Sequence, residues 1–298
     1  MAKKVNHKKM GRDAISQKYE FIKNYNKLSI SKLCKITEIS RGAYYKWLNR
    51  KNNNRHTENT AIKVLILECF DKFKGIYGKL RIKKWLEKTY DIKINHKRVY
   101  RLMKELGLKS VIRKKRYKLK YEAPEVVKKN LLARDFNATK PNEKWSIDIS
   151  YIKISEKTFK YLCAIKDLFN NEIVGYSISN SQTLLQVLET IEEATKGKDV
   201  KNLIIHSDQG FQFTNKQYIN FLESKNIRVS HSRRGNCIDN SPIECFFGHL
   251  KSEYPHLYSP KTTEEIEESI KKYIKFYNEE RIQLKLKGYS PKEYRTIA

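Results

Sequence analysis

No stretch of this chain approaches the roughly 20 consecutive apolar residues needed to cross a bilayer. The N-terminal MAKKVNHKKMGRD has no apolar run after its basic residues. Neither membrane insertion nor export is therefore expected. Cysteine is sparse and odd in number: Cys34, Cys69, Cys163, Cys237 and Cys245 contain no C-x-x-C pair, and the seven histidines are not spaced with them as metal ligands. This excludes a disulfide scaffold and a structural zinc site, and points to a reduced, cytoplasmic protein. Glycine (11) and proline (6) are too few for a low-complexity chain of 298 residues. Acid is the most informative shortage. Only 33 Asp and Glu face 62 Lys and Arg, a formal charge of +29, so a polyanionic partner is the first expectation.

The excess charge is local. Residues 1–120 hold 35 Lys/Arg and 9 Asp/Glu, whereas residues 121–298 hold 27 and 24. A surface charged only for solubility would mix the signs along the whole chain, so the front part is expected to grip polyphosphate.

Two helical units are expected there. In residues 1–56, a helix over AISQKYEFIKNYNK is followed by two short helices opened by Ser29 and Ser40 as N-caps. The last carries Arg41 and Lys46, a helix-turn-helix pattern in which both are candidate DNA contacts. The plainer alternative is a three-helix cluster with Leu33, Ile36, Ile39, Tyr45, Trp47 and Leu48 as core and the basic residues merely solvated. Residues 57–110 repeat the plan, ending in a helix that starts after Asn95 and stops at Gly107. Its stripe of Val99, Leu102, Met103 and Leu106 is buried, and Lys97, Arg98 and Arg101 are candidate DNA contacts. Residues 111–140 then form a basic linker, in which Arg113, Lys114, Lys115 and Arg116 meet phosphate.

From Lys144 the texture turns to strands. Three in succession (KWSIDISYIKI, FKYLCAIKDL, NEIVGYSIS) suggest an antiparallel meander. A helix over 182–195, a buried strand ending at Asp208, a helix over 215–225 and a short strand IRVSH come next. Helices starting near Pro242 and at Thr263 close the chain. The order implies an α/β fold over residues 141–298, with a mixed five-stranded sheet flanked by helices.

Three acids stand out by position. Asp148 sits inside the first strand among Trp145, Ile147, Ile149 and Tyr151, where a carboxylate is costly without a cation or donors. Asp208 ends the buried strand, where ligands meet an open sheet. Glu244 lies in the first turn of a helix, 35 residues separating it from Asp208. If the fourth strand lies beside the first, the two aspartates become neighbours and the helix brings Glu244 across. Three carboxylates with no His or Cys suit hard cations, Mg2+ or Mn2+, and two such ions would activate a nucleophile and stabilise the leaving oxygen of a phosphodiester. Plainer alternatives remain for two of them: Asp208 as a turn aspartate, and Glu244 closing its own helix in a Ser241-Pro-Ile-Glu capping box. Lys251 lies two helical turns past Glu244 and shares its face, so it either holds phosphate or is simply solvated.

The strings WSIDISY (145–151), HSDQGFQFTN (206–215), SRRGNCIDNSPIECFFGHLKSE (232–253) and YNEER (277–281), followed by Ser290-Pro, resemble the insertion sequence three family of transposases. These are members of the retroviral integrase superfamily with an RNase H-like core. GIYGKLRI (75–82) and NHKRVYRLMKELGL (95–108) look like the family's second helical unit. The resemblance implies that Asp148, Asp208 and Glu244 are the catalytic and metal-binding triad, with Lys251 the basic residue following the glutamate. It also implies Mg2+-dependent cleavage at element ends, freeing a 3′ hydroxyl that attacks target DNA. Gln209 stands where the family commonly has Arg, and Phe213 where it has Tyr. Terminal inverted repeats and target DNA are the implied partners, bound by a homo-oligomer. No heptad run of the kind the family's upstream frame supplies is visible, so the chain looks like the downstream-frame product, with the upstream-frame product as a further implied partner. A non-catalytic DNA-binding regulator, a decayed element product or a nuclease without strand transfer are the alternatives.

Overall fold

Short polar residues open the helices of the front part. The computed structural model describes residues 12–50, 54–111, 126–154, 159–260 and 262–298. In it, Ser29 accepts the amide N–H of Lys32 at 3.4 Å and Ser40 that of Ala43 at 3.2 Å, satisfying donors that the helices cannot. The helices are α1 (Arg12–Asn24), α2 (Ile30–Ile36) and α3 (Arg41–Arg50). Ile22, Leu33, Cys34 and Tyr44 form their core, with Tyr19 stacked on Trp47 at 5.1 Å. Two residues expected in that core are exposed instead. Tyr44 takes the interior place, which leaves Tyr45 about 100° around the helix. Ile36 sits on the last turn of a seven-residue helix, and Ile39 beyond the turn packs against the core in its stead. Arg41 and Lys46 are exposed.

The chain divides into two compact units, 1–67 and 68–298, the second beginning within α4 (Asn54–Lys72). Next come α5 (Lys79–Tyr90) and α6 (His96–Glu105). Asn95 caps α6 by accepting the Lys97 N–H at 2.8 Å, and Gly107 follows the helix at φ +70°. Val99, Leu102 and Met103 are buried as expected, and Leu106, the C-cap, is half-buried.

The sheet has the order β3-β2-β1-β4-β5. β1 (Lys144–Lys153), β2 (Phe159–Asp167) and β3 (Ile173–Ser179) form the antiparallel meander, while β4 (Ile204–Ser207) and β5 (Arg228–His231) run parallel to β1. α7 (Leu184–Thr195) starts after its cap Thr183, and α8 (Phe211–Thr214) and α9 (Lys216–Ser224) lie between β4 and β5. Side chains alternate across β1. Trp145 and Ile147 enter a core with Ile165, Val187, Ile191, Ile205, Phe213 and Leu222. α7 crosses β3 so closely that a Cβ on Gly175 would stand 2.6 Å from that of Ala194.

The other face of β1 meets α10 (Ser241–Tyr258), which is preceded by a 3-10 turn over Cys237–Asn240 and followed by α11 (Thr263–Glu279) and α12 (Pro291–Ile297). Capping boxes at Thr262/Glu265 and Ser290/Glu293 open the last two. Arg113, Lys114, Lys115 and Arg116 lie outside the described residues. The remainder of the expected linker is held in place from Val126 onward: Lys128 N–H donates to His231 Nδ1 at 2.8 Å, Leu131 N–H donates to Ser230 Oγ at 2.9 Å, and Leu132 is buried.

Within the second unit, α5 and the segment before it are joined to the C-terminal helices. Tyr77 Oη accepts the Ile282 N–H at 3.1 Å, Arg81 approaches Glu253 at 3.6 Å, and Lys88 pairs with Glu293. Among the described residues no helix is long and apolar enough to cross a membrane.

Candidate active site

Parallel pairing of β1 with β4 runs Lys144↔Ile204, Trp145↔Ile205 and Ser146↔His206. The ladder ends there, and Asp148 and Asp208 each lie two residues beyond it, close enough for the charge of Asp208 to act on Asp148. Both are partly buried. Asp208 Oδ1 accepts the Gly210 N–H at 2.9 Å, and a Cβ at Gly210 would lie only 3.0 Å from that oxygen, so the close turn is built for glycine. Asp148 Oδ1 accepts the Ile149 N–H at 2.7 Å. Burial, then the negative charges of Asp208 and Glu244, hold the Asp148 carboxyl well above the usual carboxylate range, with the Ile149 amide and Lys251 pulling the other way. Burial likewise raises Asp208, tempered by the Gly210 amide. Two acids thus share a site where their negative charge is poorly tolerated.

α10 lies over this face of β1. Ser146 Oγ donates to Asn240 Oδ1 at 2.6 Å, and Lys251 Nζ donates to Ser150 Oγ at 2.5 Å and stands 4.4 Å from the centre of the Tyr151 ring. Asp148 lies between Ser146 and Ser150, opposite the small Ala164 of β2. Glu244 lies between Asn240 and Lys251 and is exposed. The cap of α10 is Asn240, not Ser241, and no side chain closes it, so the Ser241/Glu244 capping box is not formed. Lys251 is engaged with β1 rather than merely solvated. Among the described residues, no three His, Cys, Asp or Glu side chains stand ready as a metal-holding group. The aspartates are neighbours, and Glu244 acts on Asp148 through its charge.

The turn before α10 holds a hub that the sequence pattern did not single out. The fully buried Asp239 carboxylate accepts Arg233 Nε at 2.9 Å, Arg233 NH2 at 2.9 Å and the Arg233 backbone N–H at 3.1 Å, besides Arg134 Nε at 2.8 Å and Asn130 Nδ2 at 3.0 Å. Hydrogen bonds from Arg233 above all hold it far below the usual carboxylate range. The only sequence signal was an acid inside the Gly/Asn turn five residues before Glu244. On α6, Lys97 is exposed, Arg98 half-buried, and Arg101 paired with Glu105 at 2.9 Å.

Residues 138–237 and 244–297 match the integrase core domain, and residues 57–116 match an HTH-like domain. The chain is 38% identical over 267 residues to a putative transposase, InsK, of insertion sequence element IS150 from Escherichia coli, covering 89% of this chain and 93% of that protein. It is 30% identical to the transposase InsF of insertion sequence IS3A from the same organism, covering 93% and 98%. Among solved structures, the HTLV-2 integrase catalytic core domain aligns with 53% of this chain and 98% of its own, at 19% identity and a TM-score of 0.43. The chain therefore belongs to the insertion sequence three family of transposases and carries an integrase core preceded by an HTH-like domain.

Proposed function

We propose that the chain cleaves the ends of an insertion element and transfers the freed 3′ hydroxyl to target DNA by metal-dependent transesterification. The observation that supports this is the closeness of Asp148 and Asp208 just beyond the parallel β1–β4 ladder, where burial and the charge of Asp208 raise the Asp148 carboxyl and favour a cation. The donor set is all oxygen, which fits Mg2+ or Mn2+ and not a softer metal. Asp148 and Asp208 would hold the ions and Glu244 would complete the set. Bound there, a pair of divalent ions supplies charge stabilisation for both the attacking and the leaving oxygen.

The remaining work falls to side chains. Water attacks the phosphodiester at the element end, leaving a 3′ hydroxyl. That hydroxyl then attacks a target phosphodiester, one bond forming as another breaks. Lys251, placed over β1 two turns beyond Glu244, would meet a flanking phosphate. Lys97, Arg98 and Arg101 on α6, Arg41 and Lys46 on α3, and the run Arg113 to Arg116 would grip the DNA backbone. The domain plan we adopt is two helical units, 1–56 and 57–110, the basic segment 111–140 and the core 141–298. Holding two ends together calls for a homo-oligomer, and the upstream-frame product is a further partner.

The test is strand transfer of a labelled element end with Mg2+ or Mn2+. Wild type forms joined product, and Asp208→Asn lowers the rate by orders of magnitude, as loss of a carboxylate that would hold the ions implies. Equal rates refute the assignment. End binding without chemistry in either protein favours the non-catalytic DNA-binding regulator.

A further inference from the structure

An Asn at a helix N-cap ordinarily turns its side chain onto the amides of its own first turn. Asn240 does not: no side chain caps α10. Its amide is spent on β1, Oδ1 accepting the Ser146 hydroxyl at 2.6 Å and Nδ2 donating to the Ile147 carbonyl at 3.4 Å. The ladder between β1 and β4 ends at Ser146↔His206, and Asn240 takes the carbonyl of the next residue along, beside Asp148. Asn240 and Ser146 are each 1% exposed. A third tie comes from the buried Lys166, the register partner of Ser146, whose Nζ donates to the Pro242 carbonyl at 3.0 Å. Asp239 anchors the preceding turn through Arg233, Arg134 and Asn130.

From these contacts we infer that Asn240 is a positioning residue. It fixes the root of α10 to the strand that carries Asp148, and so sets the reach of Glu244, one helical turn further on, to the aspartate pair. The inference rests on the metal-site reading above. Its physical basis is that outer partners orient the ligands, and loss of one typically weakens metal affinity about 10- to 100-fold. Neither Asn240 nor Ser146 would touch the ion.

The experiment measures Mn2+ binding to the full chain by calorimetry and by paramagnetic resonance, together with the Mn2+ concentration giving half-maximal strand transfer. It compares wild type, Asn240→Ala, Ser146→Ala and Asp208→Asn. The thermal midpoint and DNA affinity show which variants are folded. Asn240→Ala is expected to raise the Mn2+ dissociation constant and the half-maximal concentration about 10-fold or more while still binding DNA. Ser146→Ala, which deletes a single oxygen, is expected to shift both in the same direction, and it decides the matter if Asn240→Ala does not fold. Wild-type Mn2+ affinity in the folded variants, with binding lost in Asp208→Asn, overturns the role of Asn240 and leaves the metal site standing. Wild-type affinity in Asp208→Asn as well overturns both.

Discussion

His206 shows how the end of β4 is kept neutral beside two acids. Ser230 Oγ accepts the Leu131 N–H, which leaves its own proton for His206 Nδ1 at 2.8 Å. Ser232 Oγ donates to the Ser207 carbonyl and therefore accepts from His206 Nε2 at 3.1 Å. The ring is satisfied as a neutral imidazole, and burial pushes its pKa down to about 4 from an ordinary 6.5. His231 follows the same logic: Nδ1 accepts the Lys128 N–H, Nε2–H donates to the Phe213 carbonyl, and burial lowers its pKa. Burial also lowers His249, to about 3. Between the ordinary and lowered values the unfolded chain binds protons that the fold does not, so stability falls as pH falls. Because the raised Asp148 and Asp208 carboxyls act in the opposite sense, the histidine share is read directly from imidazole NMR signals, with His206 expected to stay neutral from pH 6.5 down to about pH 4. Titration of His206 near pH 6.5 in the folded protein would show that the buried ring is charged and overturn this reading.

α10 carries the site at one end and a buried ion pair nearer the other. Arg281 donates through Nε and NH2 to the two oxygens of Glu253, at 2.8 and 2.7 Å, and Tyr273 adds its hydroxyl at 2.8 Å. Such a pair is costly to assemble and costlier to halve. Arg281→Met leaves the buried carboxylate with only Tyr273 and the more distant Arg81 and is expected to lose about 3 kcal/mol of unfolding free energy, whereas Arg281→Met with Glu253→Met loses less than that single change. Denaturant titration of the set measures it.

Much at this scale was legible in the chain. Ser29, Ser40 and Asn95 marked helix starts, and alternation marked the strands, because capping and pleating act over a few residues. The neighbourhood of Asp148 and Asp208 followed only conditionally, since nothing local states which strand lies beside which. The Asp239 hub and the Glu253–Arg281 pair were not legible. Arg134 reaches Asp239 from 105 residues away and Arg281 reaches Glu253 from 28, and even the nearby Arg233 looks in the chain like any other basic residue of a turn. The capping box weighed as the plainer alternative for Glu244 is not formed, because Asn240, one position earlier, opens the helix instead.

The protein as a whole is strongly basic at the front and nearly neutral behind. Binding to duplex DNA is expected to weaken steeply with salt, with a log–log slope steeper than about −5, as six or more neutralised phosphates produce. Filter binding or anisotropy over a salt series measures the slope, and a shallow response would contradict the electrostatic reading. The joint between α5 and the C-terminal helices bears on the same scale. Val111 donates its N–H to the Gly75 carbonyl, and Val126 donates its own to the Thr214 carbonyl. Both lie in the second compact unit. The helices α5 and α6 and the integrase core therefore belong to one compact unit. Turning α5 against the C-terminal helices would require breaking the contacts of Tyr77, Arg81 and Lys88.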